Sequence, residues 1–123
     1  MICHYCNGPV KCVMGGVIYP RRPDLWKKNF WLCKPCEAWV GCHPNTKKPL
    51  GIVANAELRK LKSEVHANFD PLWKDGRMSR KEAYAWLSHV LAIPIEETHV
   101  GMFTNELCER AIYELEMRRG PYE

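Results

Sequence analysis

Two short cysteine hooks constrain this chain more than anything else in it. Cys3-His-Tyr-Cys6 and Cys33-Lys-Pro-Cys36 each place two thiolates on one tight turn, with 26 residues between them. Two such C-x-x-C turns can close a tetrahedral four-sulfur site, the arrangement zinc takes in structural roles. The expected ligands are Cys3, Cys6, Cys33 and Cys36, around one structural Zn2+. Asn7-Gly8, just after the first hook, can take the left-handed conformation that turns backbone N–H groups toward a bound sulfur. Glu37 suits the same place in the second hook less well.

A four-thiolate site is closed, with no open position for water, so it does not by itself support hydrolysis. Its expected task is folding, tying together a β-unit too small to bury a core of its own. Four of the seven cysteines are used in this way. Cys12, Cys42 and Cys108 suggest no disulfide framework, and they read as small buried apolar side chains in a reducing compartment. The 46% apolar content, with five Trp, five Tyr and three Phe, is enough for a core. No apolar run reaches the length of a membrane span, and the N-terminus opens on metal ligands rather than on a signal peptide. The expectation is a soluble cytoplasmic protein with no membrane partner.

Along the chain, Pro9 to Met14 and Val17 to Tyr19 are β-rich runs flanking Gly15-Gly16, a dipeptide that predicts a hairpin because both positions tolerate positive φ. Tyr19-Pro-Arg-Arg-Pro-Asp24 is a loop fixed by two prolines. Phe30-Trp31-Leu32 predicts a strand into the second hook, and Ala38-Trp39-Val40 the strand leaving it. Hook, hairpin, loop, strand, hook, strand is the layout of a zinc ribbon over about residues 1–45. Past a connector at 41–51, Asn55 is the expected cap of a helix running to about Ala67. Asp70-Pro71 is expected to break that pattern, and Leu72-Trp73 to plug the core between helices. Ser79-Arg-Lys-Glu82 is a capping box opening a helix at 80–92, ended by Pro94. A third helix starts near Thr104 and stops at Gly120-Pro121.

Charge is unevenly spread. Residues 1–62 carry eleven Lys/Arg against three Asp/Glu, a net +8, whereas residues 63–123 carry seven against eleven, a net −4. Four thiolates around Zn2+ would lower the first figure to about +6. A basic metal-bearing half points to a polyanion-facing surface. The candidates for it are Arg21, Arg22, Lys27, Lys28, Lys47 and Lys48, with Arg59, Lys60 and Lys62 beyond them. Tyr19, Trp26, Phe30 and Trp31 are interleaved with the first four. Cations neutralise phosphates and aromatic faces stack on unpaired bases, so the mixture suits nucleic acid. The plainer account is that the aromatics fill the small core and the lysines keep it soluble; of Phe30 and Trp31, which alternate faces, at least one belongs inside.

Other chemistry is thinly signalled. His4 lies inside the first hook, but C-x-x-C geometry uses the outer residues. His43-Pro44-Asn45 invites a metal-dependent nuclease reading, with His43 or His99 activating water, yet no second histidine follows soon on a helix. His66 and Asp70, one helical turn apart, are an expected ordered pair. Cys108 lies in an apolar helical stripe rather than beside a base.

Ile18-Tyr-Pro-Arg-Arg-Pro-Asp24, Phe30-Trp-Leu-Cys-Lys-Pro-Cys36, Val40-Gly-Cys-His43 and Pro49-Leu-Gly51 resemble the uncharacterised zinc-finger-containing proteins of phages and bacteria. The likeness continues through His66-Ala-Asn-Phe-Asp-Pro-Leu-Trp73, Ser79-Arg-Lys-Glu-Ala-Tyr-Ala-Trp-Leu87 and His99-Val-Gly-Met-Phe103. It implies a zinc finger and a phage or prophage setting, and no reaction. Glu37, where related chains carry Gly, departs from the pattern.

The expected architecture is α+β. A zinc ribbon at 1–45 packs against a three-helix unit at 46–123, as one continuous structural domain. The favoured function is a non-enzymatic, phage-encoded nucleic-acid-binding regulator with structural zinc. The alternatives are a module that binds a host transcription or defence protein, and a metal-dependent nuclease.

Overall fold

A computed structural model of the chain describes residues 1–119, so the expected stop at Gly120-Pro121 lies outside the described residues. The fold is α+β, with three antiparallel strands first and helices after them. The chain divides into two compact units, Met1–Ala56 and Glu57–Glu123.

In the first unit, β1 (Lys11–Met14), β2 (Asn29–Cys33) and β3 (Ala38–Gly41) form a sheet of order β1-β2-β3. β1 pairs with β2 in the register Cys12↔Trp31, and β2 with β3 in the register Cys33↔Ala38. The expected hairpin at Gly15-Gly16 does not form. Gly15–Ile18 is instead one helical turn, α1, and neither glycine has positive φ. Gly15 is required for a different reason. A Cβ there would lie 1.8 Å from the Leu25 carbonyl oxygen and 3.1 Å from Phe30 Cε2, so only glycine lets the chain pass. Its N–H donates to the Lys28 carbonyl at 2.8 Å, which sends the chain through the 20–28 loop and back as β2.

The small core of this unit joins Cys3, Val10, Cys33, Ala38 and Val53, with Trp31 and Val40 packed against it. Phe30 is buried on the other face of β2, where Tyr19 lies 5.7 Å from it, centre to centre. Trp39 packs edge-on to Tyr19 and donates its Nε1–H to the Tyr19 hydroxyl at 2.9 Å. Residues 46–56 stay with the sheet through bridges Cys42↔Pro49 and Trp39↔Ala54.

The second unit holds α2 (Ala56–Phe69) from its second residue on, α3 (Pro71–Lys74), α4 (Arg80–Leu91) and α5 (Asn105–Arg119). α2 runs two residues beyond the expected end. Asp70 keeps a helical backbone and the chain resumes at once in α3, because Pro71 occupies a first-turn position where its missing N–H costs nothing. Ser79 and Glu82 form the capping box: the Ser79 hydroxyl accepts from the Glu82 N–H at 3.0 Å, and Glu82 Oε1 from the Ser79 N–H at 3.1 Å. α4 stops at Ala92, which takes the left-handed conformation. Thr104 opens α5, its hydroxyl accepting from the Leu107 N–H at 3.4 Å. Leu58, Val65, Phe69, Leu87, Leu91, Phe103, Cys108 and Leu115 make the core. Leu72 and Trp73 are only part-buried, so they edge that core rather than plug it.

Candidate metal centre and basic cleft

The two hooks are built alike from unrelated sequence. The first is a closed loop, in which the Cys3 N–H donates to the Gly8 carbonyl at 2.9 Å and the Asn7 N–H to the Cys3 carbonyl at 2.8 Å. The second is the turn joining β2 to β3, whose strands meet at Cys33↔Ala38. Each ends on a left-handed residue, Asn7 at φ 60° and Glu37 at φ 49°. Glu37 thus takes the conformation it is poorly suited to, at a local cost of about 1 kcal/mol. Gly8 lets the backbone close on the sulfur: its N–H lies 3.4 Å from Cys6 Sγ, and a Cβ would sit 3.2 Å from that atom.

The hooks bring the Sγ atoms of Cys3, Cys6, Cys33 and Cys36 within 4.8 Å of one another. Cys6 and Cys33 sulfurs are 3.7 Å apart. Tetrahedral Zn–S bonds of about 2.3 Å set sulfur–sulfur edges near 3.8 Å, whereas a disulfide would need about 2.05 Å. The spacing therefore fits a metal and not a bridge. The electrostatics agree. Burial pushes the Cys3 thiol up, but the N–H groups of Cys6 and Tyr5 outweigh it and leave Cys3 below its ordinary value. Cys36 is pushed up to about 12, first by its hydrogen bond with Cys6 and then by burial. Four sulfurs this close cannot all ionise unless a cation lies between them. No other group of three or more His, Cys, Asp or Glu with metal-ligand spacing occurs among the described residues.

His4 turns away from the sulfurs. Its Nε2 lies 2.8 Å from the Val53 carbonyl oxygen and its ring stacks on Tyr5. Tyr5 in turn accepts from the Asn55 N–H at 3.2 Å, so the two residues inside the first hook fasten the 53–55 segment to it. Nothing in the sequence spacing signals that role. Cys108 is fully buried and pushed up to about 11 by burial, as a core residue should be. Cys12 and Cys42 are half-buried rather than buried. His66 Nδ1 and Asp70 Oδ1 are 3.2 Å apart, the pair expected from their spacing.

Four of the six basic residues singled out in the sequence lie at one cleft or on the turn that walls it. Lys27, Lys28 and Asn29 face residues 42–46 across a cavity of about 170 Å3. The Asn29 side-chain amide donates to the Thr46 carbonyl at 2.9 Å, and Trp31 Nε1–H to the Lys47 carbonyl at 2.7 Å. Trp31 thus anchors the turn that carries exposed Lys47 and Lys48. Arg21 is exposed on the proline loop, and Arg22 is engaged by Asp24 through two contacts of 3.0 and 2.9 Å. Hydrogen bonding to Arg22 holds the Asp24 carboxyl below its usual value. Of the interleaved aromatics, Phe30 is core and Tyr19 and Trp31 are part-buried. Trp26 is 47% exposed, with Nε1–H bound to the Pro20 carbonyl. Lys62 belongs to the second unit, where its Nζ donates to the Gly101 carbonyl at 2.8 Å and burial lowers its pKa.

A family model for a zinc-finger-containing domain matches residues 1–118. No curated protein and no solved structure matches the chain. No helix among the described residues is long and apolar enough to cross a membrane.

Proposed function

The chain belongs to the zinc-finger-containing domain family and has a site for one structural Zn2+, and from that premise we propose that it is a non-enzymatic nucleic-acid-binding protein. Cys3, Cys6, Cys33 and Cys36 hold the metal, and the cleft between Lys27-Lys28 and the 43–48 turn meets the phosphates. The observation that carries this reading is the convergence of Lys27 and Lys28 on the turn bearing Lys47 and Lys48. The unit around it has eight Lys/Arg against two Asp/Glu over residues 1–56. Zinc folds the sheet, the sheet fixes Trp31, and Trp31 holds the basic turn. The closed sulfur shell leaves the metal no part in hydrolysis. A regulatory role in a phage or bacterial cytoplasm is the setting that the family resemblance and the absence of a disulfide pattern support.

Fluorescence anisotropy with short single- and double-stranded DNA and RNA tests this at two salt concentrations. Contacts to about four phosphates predict a loss of roughly fiftyfold in single-strand affinity between 50 and 200 mM salt. Charge reversal at Lys27 and Lys28 should weaken binding more than reversal at Arg22, whose charge Asp24 already offsets. No binding at low salt, with one zinc per chain, would overturn the reading and favour a protein partner instead.

A further inference from the structure

Four aromatic residues, Tyr19, Trp26, Phe30 and Trp31, are interleaved with the basic cluster of the first unit, and the fold leaves one of them open. Phe30 is buried and Tyr19 packs on it, with the Tyr19 hydroxyl accepting from Trp39. Trp31 is part-buried and its Nε1–H is committed to the Lys47 carbonyl. Trp26 is 47% exposed, and it is the only exposed residue among the five tryptophans.

The open indole is nevertheless held in place. Its Nε1–H donates to the Pro20 carbonyl at 3.1 Å. Its Cδ1 and Cγ lie 3.5 and 3.7 Å from where a Cβ on Gly16 would stand, so the pyrrole side of the ring rests against that glycine. The loop that carries it is tied by its own backbone. The N–H groups of Arg22, Leu25 and Lys28 donate to the carbonyls of Tyr19, Arg22 and Leu25 at 3.0, 2.9 and 3.1 Å, and Pro23–Leu25 is a 3-10 turn. A ring fixed in this way loses little freedom when a flat partner lies on it. Lys27 and Lys28 follow directly and line the cleft. The α-carbons of Trp26 and Lys28 are at most about 7.6 Å apart, so one nucleotide can place its base on the ring and its phosphate at the cleft.

We propose that Trp26 is a base-stacking platform, and that the basic cleft therefore takes single-stranded nucleic acid in preference to duplex. The inference rests on the nucleic-acid reading above and names the form of its ligand. Lysines meet the phosphates of either form. An aromatic ring adds binding only where a base is unstacked and open, which the interior of a duplex does not offer. Every base has a π-face, so the platform adds affinity without reading sequence.

The test is fluorescence anisotropy of the zinc-loaded full chain with a labelled oligothymidylate and with an abasic oligomer of equal length, which carries the same phosphates and no bases. Oligothymidylate should bind at least about fivefold more tightly. Trp26→Ala should weaken oligothymidylate binding about tenfold and abasic binding less than about twofold, with the salt slope unchanged. Trp26→Phe loses the Pro20 bond but keeps a ring, and should recover most of that loss. Lys27→Gln with Lys28→Gln should instead weaken both oligomers and make the log–log salt slope shallower by about 1.4. Equal losses on the two oligomers in Trp26→Ala would show that the indole only braces the loop, and would overturn the proposal. Equal affinity of the unaltered chain for both oligomers, or a phenylalanine variant as weak as the alanine one, would overturn it too. In each of these cases binding that depends on salt and on the two lysines leaves the nucleic-acid reading standing. Absence of binding to both oligomers at low salt would overturn the two together.

Discussion

Gly15→Ala should damage the first unit far more than Gly16→Ala, although the two glycines are neighbours. At position 15 the new methyl would meet the Leu25 carbonyl oxygen at 1.8 Å and its carbon at 2.7 Å. Both are backbone atoms, which cannot rotate away, so the segments must part by more than an ångström. That movement breaks the 2.8 Å bonds from the Gly15 N–H to the Lys28 carbonyl and from the Tyr19 N–H to the Gly15 carbonyl. Overpacking costs about 1–3 kcal/mol and each lost hydrogen bond about 1 kcal/mol, so the expected destabilisation is about 3 kcal/mol or more. At position 16 the methyl would find only Trp26 Cδ1 at 3.5 Å, an ordinary contact. Without a positive φ to strain, alanine there should be neutral or stabilising by about 0.5 kcal/mol. Thermal unfolding at fixed free zinc, followed by the amide signals of residues 11–41, separates the two. A melting temperature at least about 12 °C lower for Gly15→Ala, and unchanged within about 3 °C for Gly16→Ala, is the expected result. Equal effects, or a tolerated alanine at 15, would refute the close approach and reinstate a flexible glycine turn.

Cys33→Ser should release the zinc and unfold residues 1–56 while the amide spectrum of 57–119 persists; an intact sheet at one zinc per chain would contradict it. Ser79→Ala should cost the helical unit about 1 kcal/mol by removing the hydroxyl acceptor from the start of α4, read by urea denaturation. Hydrogen bonds from Ser79 hold the Glu82 carboxyl below its ordinary value, so the folded state binds that proton less tightly than the unfolded state. The cap contribution should be complete above the unfolded value near 4.3 and disappear as pH falls through the lowered folded value. Glu82→Gln should flatten that acid limb, and an unchanged limb would place its cause elsewhere.

What could be read in advance was local and chemical. C-x-x-C spacing specifies a sulfur cluster because both partners of each pair sit on one turn, and Ser79-x-x-Glu82 specifies a helix start for the same reason. The failures came where a signal had two physical origins. Gly15-Gly16 suggests positive φ, but the glycine serves a steric approach by Leu25, a residue whose proximity depends on β1 pairing with β2 across 14 intervening positions. Asp70-Pro71 resembles a helix stop, yet proline is equally at home in a first helical turn, and α3 uses it so. The basic residues were identifiable by type, but only the Asn29 and Trp31 side-chain bonds show that Lys27, Lys28 and the 43–48 turn share a cleft. Asp24 withdraws Arg22 from the same set.

Zinc K-edge X-ray absorption on the purified chain, with metal content measured on the same sample, tests the four-cysteine centre most directly. One zinc per chain with four sulfurs at about 2.3 Å and no nitrogen or oxygen neighbour is the predicted result. A nitrogen or oxygen in the shell, or fewer than four sulfurs, would show that the two hooks do not close on the metal as their geometry requires.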